Sequence, residues 1–178
     1  MNPKPRQPIS ETEALHKLAA LCAAAEHCRH DMQRKMAAWD LPEGAPERII
    51  QHLEQGHFID ESRYARAFVR DKSRYNHWGP TRIALELRRK GIPDETIEEA
   101  LGEIQDDAAA DMLKHLLETK LRTTRGSTER ERLCKVLRFA VGRGFALQDA
   151  RKCLAKILDE TGKAALENLD ETDEDTWH

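Results

Sequence analysis

Arg63, Arg66, Arg70 and Arg74 are spaced three, four and four residues apart, which lines one face of a helix. A row of guanidinium groups suits oxyanions, because each fork donates paired hydrogen bonds to a carboxylate or phosphate. Along a phosphate backbone each neutralised charge also releases a counterion. Such a row fits a nucleic-acid backbone or an acidic protein groove equally well. It belongs to a wider excess. Between Phe58 and Gly91, Arg63, Arg66, Arg70, Lys72, Arg74, Arg82, Arg88, Arg89 and Lys90 face Asp60, Glu61, Asp71 and Glu86, nine cations against four acids and a local charge of +5. A second cluster holds Lys114, Lys120, Arg122, Arg125, Arg130, Arg132, Lys135 and Arg138, opposed by Glu118, Glu129 and Glu131. Ordinary solvated charges at helical spacing account for any single arginine. They account less well for two clusters in succession.

Other chemistry is sparse. Asp60-Glu61 resembles an acid/base pair, but its place at a helix start suits capping and the helix dipole instead. Cys22, His27, Cys28 and His30 lie close together, yet the second ligand pair that zinc sites show is missing. A structural role is expected for them, and no metal. The four cysteines form no CxxC pair, which fits reduced thiols. The chain carries no glycine-rich phosphate loop, GxSxG elbow or HExxH helix. An enzyme is not expected, nor a cofactor. With no apolar run of membrane-spanning length and no signal-peptide pattern, the expected compartment is the cytoplasm.

The elements that would hold these residues are helices. Charged residues make up 34% of the 178 and aromatics 5%, so small bundles with Ala and Leu stripes are favoured over one deep aromatic core. Residues 1–9 read as a disordered arm. Ser10 and Glu13 form a capping box, followed by a helix to about Ala25. Helices are expected from about Arg29 to Trp39 and from Pro46 to Gln55. The next runs from Asp60 to about Ser73, with Asp60 as N-cap and Tyr64, Ala67, Phe68 and Tyr75 as its apolar side. Gly79-Pro80 opens another, striped by Ile83, Leu85 and Leu87 and ended by Gly91. Further helices are expected after Pro93, from Asp106 to Leu121, from Thr128 to Val141 and from Leu147 to Leu158. From Asp159 onward eight acids meet one lysine, a charge of −7 within a net −3, which leaves +4 for the rest. Beyond Thr161 this acidic stretch, with its isolated Trp177, reads as disordered. No alternating strand pattern appears.

A repeat runs through the pattern. KMAAWDLPEGAPERIIQHL, LRRKGIPDETIEEALGEI and LRFAVGRGFALQDARKCLAKI each end a helix, break, place an apolar residue (Leu41, Ile92, Phe145) and begin a short amphipathic helix. The fold expected is all-α, with three tandem three-helix repeats at 10–56, 57–105 and 106–160. Stacked repeats would give an elongated, curved molecule, followed by the tail at 161–178.

Residues 58–101 resemble the RecX family of regulators of the RecA recombinase. The family's acidic doublet corresponds to Asp60-Glu61, and its R-[FY]-A-x-x-[FY] helix to Arg63-Tyr64-Ala65 with Phe68. Its G-x-x-x-I-x-x-E-L helix corresponds to Gly79, Ile83 and Glu86-Leu87, and its K-G-[IV] turn to Lys90-Gly91-Ile92. The resemblance extends more weakly over residues 10–158. It departs in the first repeat, where Cys28 stands at a common serine position, Gln33 and Met36 lie near the usual glutamate–leucine pair, and the turn from Pro42 to Pro46 is longer.

The resemblance implies a non-enzymatic negative regulator in DNA repair, recombination and the SOS response. It would bind the RecA–single-stranded DNA filament, in its groove or at its end, and inhibit ATP turnover and strand exchange. The implied contact residues are Arg63, Arg66, Arg70, Arg74, Arg82, Arg88, Arg89 and Lys90, with Tyr64, Phe68, Ile83 and Leu87 in the core. A monomer is implied, and single-stranded DNA is a candidate direct partner. The alternatives are a plain nucleic-acid-binding helical-repeat protein and a protein-interaction scaffold.

Overall fold

Capping residues start the helices and apolar stripes hold them in the computed structural model, which describes residues 7–104 and 106–169. The first helix, α1 (Glu11–Ala24), begins where Ser10 Oγ accepts the Glu13 amide at 3.3 Å. It is followed by α2 (Arg29–Met36) and α3 (Ala45–Gln55). Ala14, Leu18, Met32, Met36, Ile49, Ile50 and Leu53 close one core among these three, joined by Ile59. Next come α4 (Glu61–Asn76), α5 (Pro80–Arg89) and α6 (Asp94–Gly102). Asp60 Oδ1 accepts the Arg63 amide at 2.8 Å, so the N-cap is in place. The last group is α7 (Asp106–Thr123), α8 (Glu129–Gly142), α9 (Leu147–Ile157) and α10 (Glu160–Glu167). Leu113, Leu117, Leu133, Val136, Leu137, Ala140, Phe145, Ala150 and Leu154 form their core. The protein is therefore all-α, three helices at a time, with α10 added. No helix among the described residues is long and apolar enough to cross a membrane.

Two of the breaks share one geometry. Gly91 has φ +78°, and the Ile92 amide returns to the Leu87 carbonyl at 3.2 Å. Gly144 has φ +91°, and the Phe145 amide returns to the Ala140 carbonyl at 3.2 Å. Each is a left-handed cap followed by an apolar residue turned back onto the helix it ends. Ile92 and Phe145 are both buried, so the repeat seen in the sequence is a repeat of helix stops.

At the start of α8 the threonine half of the capping box is in place, while its glutamate reaches back one residue beyond the N-cap. Thr128 Oγ1 accepts the Glu131 amide at 3.1 Å, and Glu131 accepts the Ser127 amide and hydroxyl at 2.7 and 2.6 Å. Hydrogen bonds from Lys135 first, then from Ser127, lower the Glu131 carboxyl to about 2.

Four expectations need correction. Gln7–Pro8 (β1) pairs in parallel with Trp39–Asp40 (β2), so part of the expected disordered arm is ordered. The cause is that α2 stops at Met36, leaving extended backbone at Trp39–Asp40 to pair; Ile9 then packs on the first core. Residues 1–6 lie outside the described residues. The acidic tail is helical over α10, with Leu166 and Leu169 buried in the last core. Three-residue spacing puts those leucines on one side, and Arg151 donates to both of their carbonyls at about 3.1 Å. Residues 170–178, with Trp177, lie outside the described residues. Leu85 is 46% exposed. Two residues from both Ile83 and Leu87, it points away from the face they bury. Tyr75 is 73% exposed, and Val69 takes the buried place beyond Tyr64 and Ala65.

By contact density the described residues divide into two units. One comprises residues up to 68 with 86–100, the other 69–85 with those from 101 on. Both α4 and α5 contribute to each.

Candidate cationic interaction surface

The eight cations singled out in the sequence do different things. Arg63, Arg66, Arg70 and Arg74 all stand exposed on α4. Arg63 is nonetheless engaged. Its Nε donates to Glu26 at 2.6 Å, and its Nη2 donates to the carbonyls of His57 and Phe58 at 3.2 and 3.4 Å. It ties the end of α1 to the turn before α4. Arg66 also interacts within the protein. Arg70 and Arg74 make no ion pair among the described residues.

Arg88 pairs with Asp94 at 2.6 Å, and Arg89 with Glu86 at 2.8 Å. Both arginines are exposed, with Glu86 half-buried, so each pair contributes about 0–1 kcal/mol and can be exchanged for a partner's anion. Lys90 differs. Its Nζ lies 2.6 Å from Asp31 Oδ1, with the two side chains only 22% and 19% exposed, and 5.6 Å from the Tyr64 ring centroid. The other Asp31 oxygen accepts the Cys28 thiol at 3.3 Å. Burial raises the Asp31 carboxyl, but the Lys90 and Cys28 hydrogen bonds outweigh it and hold the group below its usual 3.8. Burial pushes the Cys28 thiol up, and the Tyr64 hydroxyl up with it. Cys28 is thus a buried, inert thiol, and Cys22 donates to the Met32 sulfur at 3.7 Å. Neither meets His27 or His30 in a metal-binding cluster among the described residues.

Arg82 stands in the second unit. Its guanidinium lies 4.3 Å from the Trp78 ring centroid, and Nη1 donates to the Gly142 carbonyl at 3.1 Å. Around it a clasp joins the α4–α5 turn to the α8–α9 turn. The Gly79 amide donates to the Arg143 carbonyl at 2.7 Å, and the Thr81 amide to the Gly144 carbonyl at 3.1 Å. Arg143 Nη1 donates to the Asn76 carbonyl at 2.8 Å, while its guanidinium lies 5.2 Å from the Phe139 ring. Lys120 Nζ lies 4.7 Å from the centroid of the same ring. A sequence reading sees Gly79 only as a helix start; its close approach to Gly144 has no local signal.

The second sequence cluster is also partly internal. Arg132 donates to the Leu121 and Thr124 carbonyls at 2.8 and 3.1 Å and pairs with Glu129. Lys135 pairs with Glu131 at 2.6 Å. Lys114, Arg122, Arg125, Arg130 and Arg138 are exposed. The acidic doublet is divided. Asp60 caps α4, and burial pushes the Glu61 carboxyl up despite the opposing charge of Arg29.

Comparison with known proteins follows the same segment. Residues 60–101 match the family described as RecX, second three-helix domain. The chain is 31% identical to the Regulatory protein RecX of Prosthecochloris aestuarii, over 82% of this chain and 94% of the relative. It is 28% identical to the Regulatory protein RecX of Salmonella arizonae, over 88% of this chain and 98% of that one. A solved structure titled as the crystal structure of regulatory protein RecX superposes with a TM-score of 0.74 at 26% identity, covering 80% of this chain and 72% of that one. RecX from Lactobacillus salivarius superposes with a TM-score of 0.71 at 21% identity, covering 83% and 96%, a likeness of fold.

Proposed function

The chain belongs to the RecX family of regulatory proteins, and from that premise we propose that it is a cytoplasmic negative regulator of the RecA recombinase. It binds the RecA–single-stranded DNA filament, in the groove or at the end, and suppresses ATP turnover and strand exchange. No catalytic step and no cofactor enter this role. The observation that carries it is the cationic α4, whose Arg66, Arg70 and Arg74 stand exposed within the segment that matches the family. Anionic filament surfaces or DNA phosphates are the complementary partner.

The eight cations then divide by task. Arg66, Arg70 and Arg74 make contact, and Arg88 and Arg89 contribute by exchanging exposed ion pairs. Arg63, Arg82 and Lys90 act as positioning residues, since their side chains are committed inside the protein. The expected result is that the protein co-sediments with cognate RecA filaments on single-stranded DNA, and that Arg70→Glu with Arg74→Glu weakens this about tenfold or more. The double variant should keep the wild-type melting temperature, because neither side chain makes an ion pair among the described residues. Co-sedimentation unchanged by the charge reversal would remove α4 from the interface. Absence of co-sedimentation by the wild type would remove the filament.

A further inference from the structure

The three breaks are not built alike. After α5 and after α8 the next helix begins within four residues, 90–93 and 143–146, and the apolar residues there, Ile92 and Phe145, are buried. Between α2 and α3 the break takes eight residues, 37–44. Its apolar residue, Leu41, is only half-buried and lines an open cleft of about 520 Å³. Ligand-sized clefts span about 300–1,000 Å³. Met36, Ala37, Trp39, Pro46 and Ile50 complete the apolar wall. Trp39 is half-buried, so part of its side chain remains available to a partner. The longer turn thus leaves uncovered what the other two repeats bury.

The charge here is opposite to that of α4. On the wall Arg29 and Glu54 neutralise each other at 2.6 Å, which leaves Glu47. Asp40, Glu43 and Glu47 are all exposed and make no ion pair among the described residues. No lysine or arginine occurs from residue 37 to 47, and the next cation, Arg48, is held by Glu11 at 2.7 Å. Phosphates are therefore repelled. No polar residue among the described residues is buried, so the wall lacks the fixed polar group that orients a small ligand.

We propose that the cleft between α2 and α3 docks a cationic amphipathic segment of a partner protein, with an apolar side chain against Trp39 and Leu41 and a lysine or arginine on Glu47. Tryptophan at the centre of an apolar patch is the commonest kind of anchor in protein interfaces. The open acids around it select the sign of the partner and repel anionic competitors. This surface is separate from α4, and its failure would leave the filament reading untouched.

The test offers the full chain to a phage-displayed library of random peptides of about twelve residues, about 18 Å as a helix. Enriched peptides are then synthesised with a fluorophore and read by anisotropy. They should carry Lys or Arg beside Leu, Ile, Met or an aromatic residue. Trp39→Ala should weaken their binding about tenfold or more, and Glu47→Lys about fivefold or more. Trp39 also packs on the first core, so melts accompany both variants; Glu47, exposed and unpaired, supplies the arm that does not depend on folding. Glu99→Lys, the same charge change on exposed α6, should stay within about twofold of wild type. The proposal is overturned by enriched peptides without net positive charge. It is also overturned if Glu47→Lys, or a folded Trp39→Ala, binds within about twofold of wild type. Binding that appears only after residues 1–6 are deleted would assign the cleft to the chain's own start instead.

Discussion

Gly79→Ala will lower the melting temperature by about 5–15 °C, a loss of about 3–4 kcal/mol for a chain of this size. A Cβ at Gly79 would lie 2.3 Å from the Gly144 carbonyl oxygen, 2.4 Å from its carbon and 2.6 Å from the Phe145 nitrogen. Those are backbone atoms, so no rotamer change relieves the clash. Relief requires the two turns to part, which breaks the Gly79–Arg143 and Thr81–Gly144 hydrogen bonds. Parting them also leaves the amide of the buried Gly79 unpaired, at about 1–3 kcal/mol. Gly144→Ala should behave alike, because its Cβ would meet the Arg82 backbone nitrogen at 2.5 Å and its φ of +91° disfavours any side chain. Gly142→Ala is the control. Nothing lies within 4 Å of the added carbon, and the position is helical, so it should be neutral or stabilising by up to about 1 kcal/mol. Thermal melts of the three variants decide it. Equal melts for Gly79→Ala and Gly142→Ala would mean that the clasp is not close-packed.

Lys90→Met should cost about 2 kcal/mol, or about 4–8 °C. The loss comes from Asp31, left mostly buried without its cation. Removing one member of such a pair is worse than removing both. The Asp31→Asn, Lys90→Met double variant should therefore recover most of the loss, and the interaction energy of the cycle should clearly exceed zero. The pH dependence has a definite sign. Asp31 has its folded-state pKa below the ordinary 3.8, so its contribution is complete above that value and disappears as pH falls through the lower, folded-state value. Wild type and Lys90→Met should thus converge in stability toward strongly acid pH. In the single variant the Asp31 carboxyl, followed by NMR, should titrate at higher pH than in the wild type. If Lys90→Met left stability unchanged at neutral pH and only filament binding fell, Lys90 would be a contact residue after all.

Much of the architecture could be read from local signals, because helix stops and starts are local. Ser10 with Glu13, Thr128 with Glu131, Asp60 and Gly91 all do what their types and spacing indicate. The apolar stripes Ile83–Leu87 and Leu113–Leu117 are buried for the same reason. What escaped was set by partners far along the chain. Tyr64 and Tyr75 stand about three turns apart on one stripe, yet only Tyr64 is covered, since coverage depends on neighbours and not on period. Lys90 and Asp31 are 59 residues apart, and Arg63 and Glu26 are 37 apart. No local rule distinguishes those committed cations from the open Arg70 and Arg74. The tail misled by composition: its acids suggested disorder, while Leu166 and Leu169 needed only helical spacing to reach the last core. Gly79 carried a signal of the wrong kind, a helix start that doubles as a close backbone approach.

The central claim is that this protein restrains RecA through the filament. The direct measurement is the ATPase rate of cognate RecA on single-stranded DNA as the protein is added in amounts well below RecA. The rate should fall at these substoichiometric levels, and Arg70→Glu with Arg74→Glu should shift the inhibition to higher concentration while Gly142→Ala does not. An ATPase rate unchanged by wild-type protein at amounts equal to RecA would contradict the account.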